Sequence, residues 1–170
     1  DYATVDFKAM SDVVDLIGGI EIDVTDAEAN MLNEYIGETA KVAGKEAHTL
    51  SGGGTYNLDG PQAVTYARLR KLEGGDYKRT ERQRTVLTAM VQKAQKANLT
   101  TINSLIDELF GDIKTSFSNT ELISLAAKVF NYSLGETIGF PFEKNTITLG
   151  SKGSVVVPCD LKSNVIQLHQ

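Results

Sequence analysis

Six side chains suited to handling an anion, Arg68, Arg70, Asp76, Arg79, Arg82 and Gln83, fall within sixteen residues. Guanidinium groups are planar forks of hydrogen-bond donors that match an anion with several oxygens, phosphate above all. The chemistry open to such a set is binding, charge neutralisation and phosphoryl transfer, which needs positioned positive charge more than a protein nucleophile. The concentration is local. The chain has 22 Asp and Glu against 17 Lys and Arg, a net charge of −5 over 170 residues. A general nucleic-acid surface would be broadly basic, and no helix-turn-helix pattern is visible, so nucleic acid is not an expected partner.

The elements that must carry these residues can be read locally. Asp59-Gly60-Pro61 opens a short helix over Gln62 to Ala67, with Pro in the first turn. Arg68-Leu69-Arg70-Lys71-Leu72 alternates and reads as a strand, which would aim Arg68 and Arg70 to one side. Asp76 predicts the N-cap of a long helix from Tyr77 to about Ala97. At about 100° per residue, Val86, Leu87, Met90, Ala94 and Ala97 form its apolar stripe, and Arg79, Arg82 and Gln83 continue that stripe. Two readings follow: a cavity at the edge of the core that holds an anion, with Tyr66 stacking in it or packing in the core, or a solvated salt-bridge network at a helix start.

The remaining chain predicts a layered α/β domain. Tyr2 to Phe7 reads as a strand, Met10, Val13, Val14 and Ile17 as the stripe of a helix opened by Ser11-Asp12 and ended by Gly18-Gly19, and Ile20 to Val24 as a half-buried strand, together a βαβ unit. A short helix is expected over Asp26 to Ile36, then a flexible glycine-rich insertion over residues 37–57. Helices follow over Ile102 to Phe110 and Thr120 to Phe130, the second opened by a Ser118/Glu121 capping box, and strands over Thr137 to Phe142 and Ser154 to Val157.

Other chemistry has weaker support. Cys159 is the single cysteine and excludes an internal disulfide; His48 and His169 are too far apart in sequence for a Cys/His metal cluster. Asp6, Asp15 and Asp23 are candidate metal ligands, with solvated or strand-end roles as the alternative. No run approaches the ~18 apolar residues of a membrane span. No signal peptide is seen and the chain does not begin with Met, so a fragment of a longer protein is expected.

Leu58-Asp59-Gly60-Pro61-Gln62-Ala63-Val64-Thr65-Tyr66-Ala67-Arg68-Leu69-Arg70 followed by Asp76-x-x-Arg79-x-x-Arg82-Gln83 resembles the signature of the LytR-CpsA-Psr family. Val5-Asp6-Phe7 and Val14-Asp15-Leu16-Ile17-Gly18-Gly19-Ile20 are similar to it in the same order. The resemblance implies a three-layer α/β/α sandwich with a mixed central sheet and a lipid tunnel, here a single domain over residues 1–170 that is incomplete on its N-terminal side. It implies a membrane-anchored, extracytoplasmic phosphotransferase that moves wall teichoic acid, capsule or a similar glycopolymer from a polyprenyl-pyrophosphate carrier to peptidoglycan. Arg68, Arg70, Arg79, Arg82 and Gln83 would hold the pyrophosphate, and Arg70, Asp76 and Arg79 would be catalytic, Asp76 by orienting arginines. Mg²⁺ is implied, with an aspartate pair, one further arginine and the membrane helix expected upstream of Asp1. The same pocket would also suit a lipid-pyrophosphate hydrolase, or an anion- or polyprenyl-phosphate-binding module without catalysis.

Overall fold

The computed structural model describes residues 1–72, 75–98, 100–101, 104–105, 114–128, 131–133, 135 and 137–169. It divides into two compact units, Asp1–Leu134 and Gly135–Gln170. Both mix helix and strand, so the α/β class holds.

In the first unit the order is β1 (Ala3–Thr4), α1 (Phe7–Leu16), β2 (Ile20–Val24), α2 (Asp26–Ala43), β3 (Gly54–Leu58), α3 (Gly60–Arg68), α4 (Gly75–Ala94), β4 (Lys114–Thr115) and α5 (Asn119–Ala127). β2 buries Ile20, Ile22 and Val24 and exposes Glu21 and Asp23, the alternation its sequence predicts. It pairs antiparallel with β3, from Ile20 opposite Leu58 to Val24 opposite Gly54. Its buried face joins Val14 of α1, Ile17 just after it, Leu32 and Ile36 of α2, Ala63, Tyr66 and Ala67 of α3, and Val86 of α4 in one core.

Several local expectations change. The opening strand is only Ala3–Thr4, paired with Lys114–Thr115. Asp6 ends it by capping α1, its carboxylate accepting a hydrogen bond from Ala9 N at 2.8 Å. The expected βαβ unit is not formed: β1 pairs with β4 and β2 with β3, both antiparallel. Alternation reports half-burial and carries no information about strand direction.

α2 runs beyond Ile36 to Ala43, because Thr39, Ala40 and Ala43 extend its buried face, and it stops where Gly44 adopts a left-handed φ of 69°. The insertion expected at 37–57 therefore contributes two turns of helix and most of β3. The segment between them is tied down: Asn33 Nδ2 donates to Leu50 O and Leu50 N donates to Asn33 Oδ1, both at 2.8 Å. Lys45 reaches Asp12 and Asp15 of α1, each at 2.6 Å.

The capping box of α5 forms as expected, with Ser118 N donating to Glu121 Oε2 at 2.8 Å and Glu121 N to Ser118 Oγ at 3.4 Å. The helix expected over Ile102 to Phe110 lies largely outside the described residues.

The second unit holds an antiparallel hairpin, β5 (Lys144–Thr148) with β6 (Ser154–Pro158), and α6 (Leu161–Leu168). The strand expected over Thr137 to Phe142 is instead irregular, interrupted by Pro141, which has no N–H for a ladder. Asn164 of α6 is buried and saturated. Its Oδ1 accepts from Phe142 N (2.6 Å) and Glu143 N (3.3 Å), and its Nδ2 donates to Glu143 O (3.2 Å) and Asp160 O (2.8 Å).

Candidate functional site

The site is built on α3, whose residues Gly60 to Ala67 are all buried. Asp59 caps it. Gln62 N donates to Asp59 Oδ1 at 2.9 Å, Asp59 N donates to Gln62 Oε1 at 3.0 Å, and Pro61 occupies the first turn, so the sequence expectation for this helix start holds. Gly60 meets α1 so closely that a Cβ would lie 2.2 Å from Ser11 O. Its N–H donates to Asp15 Oδ1 at 2.7 Å, which fixes the helix start and gives Asp15 a structural partner. Asp6 and Asp23 likewise have local roles, as a helix cap and as acceptor of the Thr55 hydroxyl.

The other end of α3 presents Arg68. It is the last helical residue, not part of a strand, and Leu69 turns the chain away with φ −58° and ψ 122°. The Arg68 guanidinium carbon stacks 4.5 Å from the centre of the Phe7 ring, and its Nη1 donates to Thr39 Oγ1 at 3.2 Å. Glu38 Oε1 is 3.9 Å from Nη2, a loose and mostly solvated pair.

Beside Arg68 lies a cavity of about 220 Å³. Arg68, Arg70 and Lys71 line it together with Tyr35, Glu38 and Thr39 of α2 and with Thr65 and Leu69. Lys71 Nζ donates to the Tyr35 hydroxyl and stands 5.0 Å from the centre of that ring. Three cations thus share one concave surface, an arrangement suited to a polyoxygen anion. Arg68 and Arg70 meet there as expected, although the turn after α3 brings them together and not a shared strand face. Lys71 is a further cation of the site; adjacency to Arg70 was its only signal in the sequence.

The residues of α4 separate. Arg82 is buried, as the stripe requires. Its Nε donates to Glu28 Oε1 at 2.6 Å and its Nη1 to Leu69 O at 3.2 Å. Burial opposes charge on Glu28, but hydrogen bonds from Thr25 N and from Arg82 outweigh it and hold the carboxyl below its usual range. Arg79 is half-buried, with Nε closed off from solvent.

Gln83 is exposed, as is Leu87, so the inward stripe is narrower than predicted and centres on Arg82, Val86 and Met90. Arg79 and Gln83 do not line the 220 Å³ cavity. The helix begins at Gly75, one residue before the predicted cap, and the side-chain role expected of Asp76 lies outside the described residues. Tyr66 packs in the core, where burial first, and then the charge of Glu28, raise its hydroxyl pKa.

The chain has relatives among known proteins. Residues 1–148 match the LytR_cpsA_psr family. The chain is similar to polyisoprenyl-teichoic acid–peptidoglycan teichoic acid transferase TagV of Bacillus subtilis, 30% identical over 129 residues, which cover 73% of this chain and 30% of TagV. It is 27% identical over 141 residues to TagT of the same organism, covering 81% of this chain and 41% of TagT. A solved structure of TagT bound to LI-WTA superposes with a TM-score of 0.55 at 25% identity, covering 75% of this chain and 43% of that one. The B. subtilis TagV structure has a likeness of fold, with a TM-score of 0.62 at 22% identity, covering 98% of this chain and 59% of that one. The chain spans less than half the length of these curated relatives.

Proposed function

Because the chain belongs to the LytR-CpsA-Psr family, we propose that it is part of a phosphotransferase that moves a glycopolymer from a polyprenyl-pyrophosphate carrier to the bacterial cell wall. The observation that carries this reading is the cavity where Arg68, Arg70 and Lys71 converge. A pyrophosphate bound there would place its oxygens against three converging cations. Arg68 is the most constrained of them, held by Phe7 and Thr39.

In the reaction, a hydroxyl oxygen of the wall acceptor forms a bond to the glycan-side phosphorus. The bond from that phosphorus to the bridging oxygen breaks, polyprenyl phosphate leaves with the electron pair, and the hydroxyl proton passes to a base or to solvent. Charge grows on the phosphoryl and bridging oxygens, and the cations of the cavity are placed to stabilise it. Arg79 and Gln83 would contribute from α4 once substrate is bound, with Asp76 orienting Arg79. The glycopolymer would be wall teichoic acid, capsule or a similar polymer, and the acceptor peptidoglycan.

The site would work at the outer face of the cytoplasmic membrane. No described helix is long and apolar enough to cross a membrane. Among the described residues no three His, Cys, Asp or Glu side chains gather into a metal site. Mg²⁺, which the family implies, would add charge neutralisation at the pyrophosphate, and the chemistry above is derived from protein cations alone.

The test is Arg68→Ala, Arg70→Ala and Arg79→Ala in the full-length protein, followed by polymer attachment and lipid-pyrophosphate binding. Loss of attachment in the Arg68 and Arg70 variants supports the reading. Survival of both attachment and binding in all three overturns it. Product analysis separates transfer, which yields glycan joined to peptidoglycan, from hydrolysis, which yields free glycan phosphate.

A further inference from the structure

Arg82 belongs to the arginine cluster by sequence but is buried and hydrogen-bonds to protein atoms. Nε is committed to Glu28 and Nη1 to the carbonyl of Leu69. Leu69 is the residue between Arg68 and Arg70, at the bend where α3 ends. We propose that Arg82 is a positioning residue: braced by Glu28, it holds the Leu69 carbonyl and so sets the turn that presents Arg68, Arg70 and Lys71 to the cavity. The proposal rests on the reading of that cavity as a pyrophosphate site.

The geometry and the charge balance argue together. A guanidinium enclosed by the core needs a counter-charge. Glu28 supplies it, and the carboxylate is itself locked. Oε2 accepts from Thr25 N at 3.0 Å and from Thr25 Oγ1 at 2.9 Å, the capping box of α2, while Oε1 faces Arg82. Arg82 therefore meets a fixed anchor at one edge and the Leu69 carbonyl at another. A lysine, with one ammonium, cannot span both partners in this fork geometry.

The carbonyls at the end of a helix lack intrahelical partners, and a donor there decides how the chain leaves. Arg82 is that donor for Leu69. Glu28 lies 54 residues from Arg82, so the start of α2 and the first half of α4 jointly fix the exit from α3. Loosening the turn would leave the cations in the cavity, so ground-state attraction for an anion would persist. What would be lost is their alignment with the charge that develops during transfer.

The experiment compares Arg82→Lys, Glu28→Gln and the double variant in the full-length protein. The readouts are transfer kinetics with a lipid-pyrophosphate-linked glycan, affinity for inorganic pyrophosphate, and amide hydrogen exchange of Leu69, Arg70 and Lys71. Both single variants are expected to speed exchange at the turn and to lower kcat, by on the order of 100-fold for a shift of about 1 Å, with KM and pyrophosphate affinity little changed. The double variant is expected to be no worse than the weaker single variant, because both remove one linked contact.

Two results would overturn the proposal. One is Glu28→Gln behaving as wild type while Arg82→Lys loses pyrophosphate affinity, which would make Arg82 a direct ligand. The other is unchanged exchange at the turn in both variants. If Arg82→Lys fails to fold, Glu28→Gln carries the same test. A wild-type protein that binds no pyrophosphate overturns the pyrophosphate reading instead, and the exchange data still decide whether Arg82 and Glu28 hold the turn.

Discussion

Arg68 at the end of α3 and Phe7 at the start of α1 stack with 4.5 Å between the guanidinium carbon and the ring centre. The ring covers one face of the cation, and Thr39 engages one edge. Replacing Phe7 with Leu keeps an apolar cover but removes the ring quadrupole, about 0.5–1 kcal/mol at a partly exposed site. Phe7→Leu is expected to weaken pyrophosphate binding by a corresponding factor of about two to five, measured by titration calorimetry. Equal affinity in wild type and variant would show that the stacking does not order Arg68.

Gly60 predicts a much larger effect. The position of its missing Cβ is 2.2 Å from Ser11 O and 2.8 Å from Asp15 Oδ2, and the first of these is backbone that cannot swing aside. Gly60→Ala is expected to separate α3 from α1 and to cost several kcal/mol, in the range reserved for overpacked cores. A urea midpoint near that of wild type would contradict the close approach.

His48 and Asp59 predict a pH effect. His48 Nδ1 lies 2.7 Å from Asp59 Oδ2, and this hydrogen bond and its charge raise the imidazole pKa above its ordinary 6.5, with Glu46 adding to the rise. A group whose pKa rises on folding gives stability that is complete below its unfolded pKa. That stability is lost as pH climbs through the folded value, so the window here opens above 6.5. Asp59→Asn retains an acceptor for the cap but removes the charge, and is expected to move the His48 titration down toward 6.5, followed by imidazole proton shifts in NMR. A titration curve that does not move would refute the pairing.

Asn164 predicts a local effect in the second unit. Its amide makes four hydrogen bonds to the backbone of residues 142, 143 and 160. Asn164→Ala leaves buried donors and acceptors unmet and is expected to cost about 1–3 kcal/mol. Hydrogen exchange should rise across α6 and β5 while the Ile20–Leu58 pairing of the first unit keeps its protection. An effect of equal size in β2 would show that the two units unfold together.

What could be read from sequence alone follows the range of the interactions. The helix start at Asp59-Gly60-Pro61 and the Ser118/Glu121 box are decided within four residues and appear as predicted. The buried face of α4 was legible at Arg82 and Val86 because helical phase is local, yet Gln83 and Leu87 lie at its margin, where packing decides. The α2 extension through Gly37 was hidden, since a polar, glycine-containing stretch looks like a loop until Thr39, Ala40 and Ala43 find a surface to cover. Of the candidate site, Arg68 and Arg70 were legible from their residue types. Glu28, Phe7 and Thr39 were not, since contacts at separations of 54 and 29 residues leave no mark on local pattern.

α3 has a further consequence for how this protein can vary. Its nine residues span about 13 Å at 1.5 Å per residue, and both ends are pinned, Gly60 to Asp15 and Arg68 to Thr39. The helix is a strut of fixed length with no slack. Adding or removing one residue would rotate Arg68 by about 100° away from the cavity while leaving every side-chain type in place. A change in its length would dismantle the cation site.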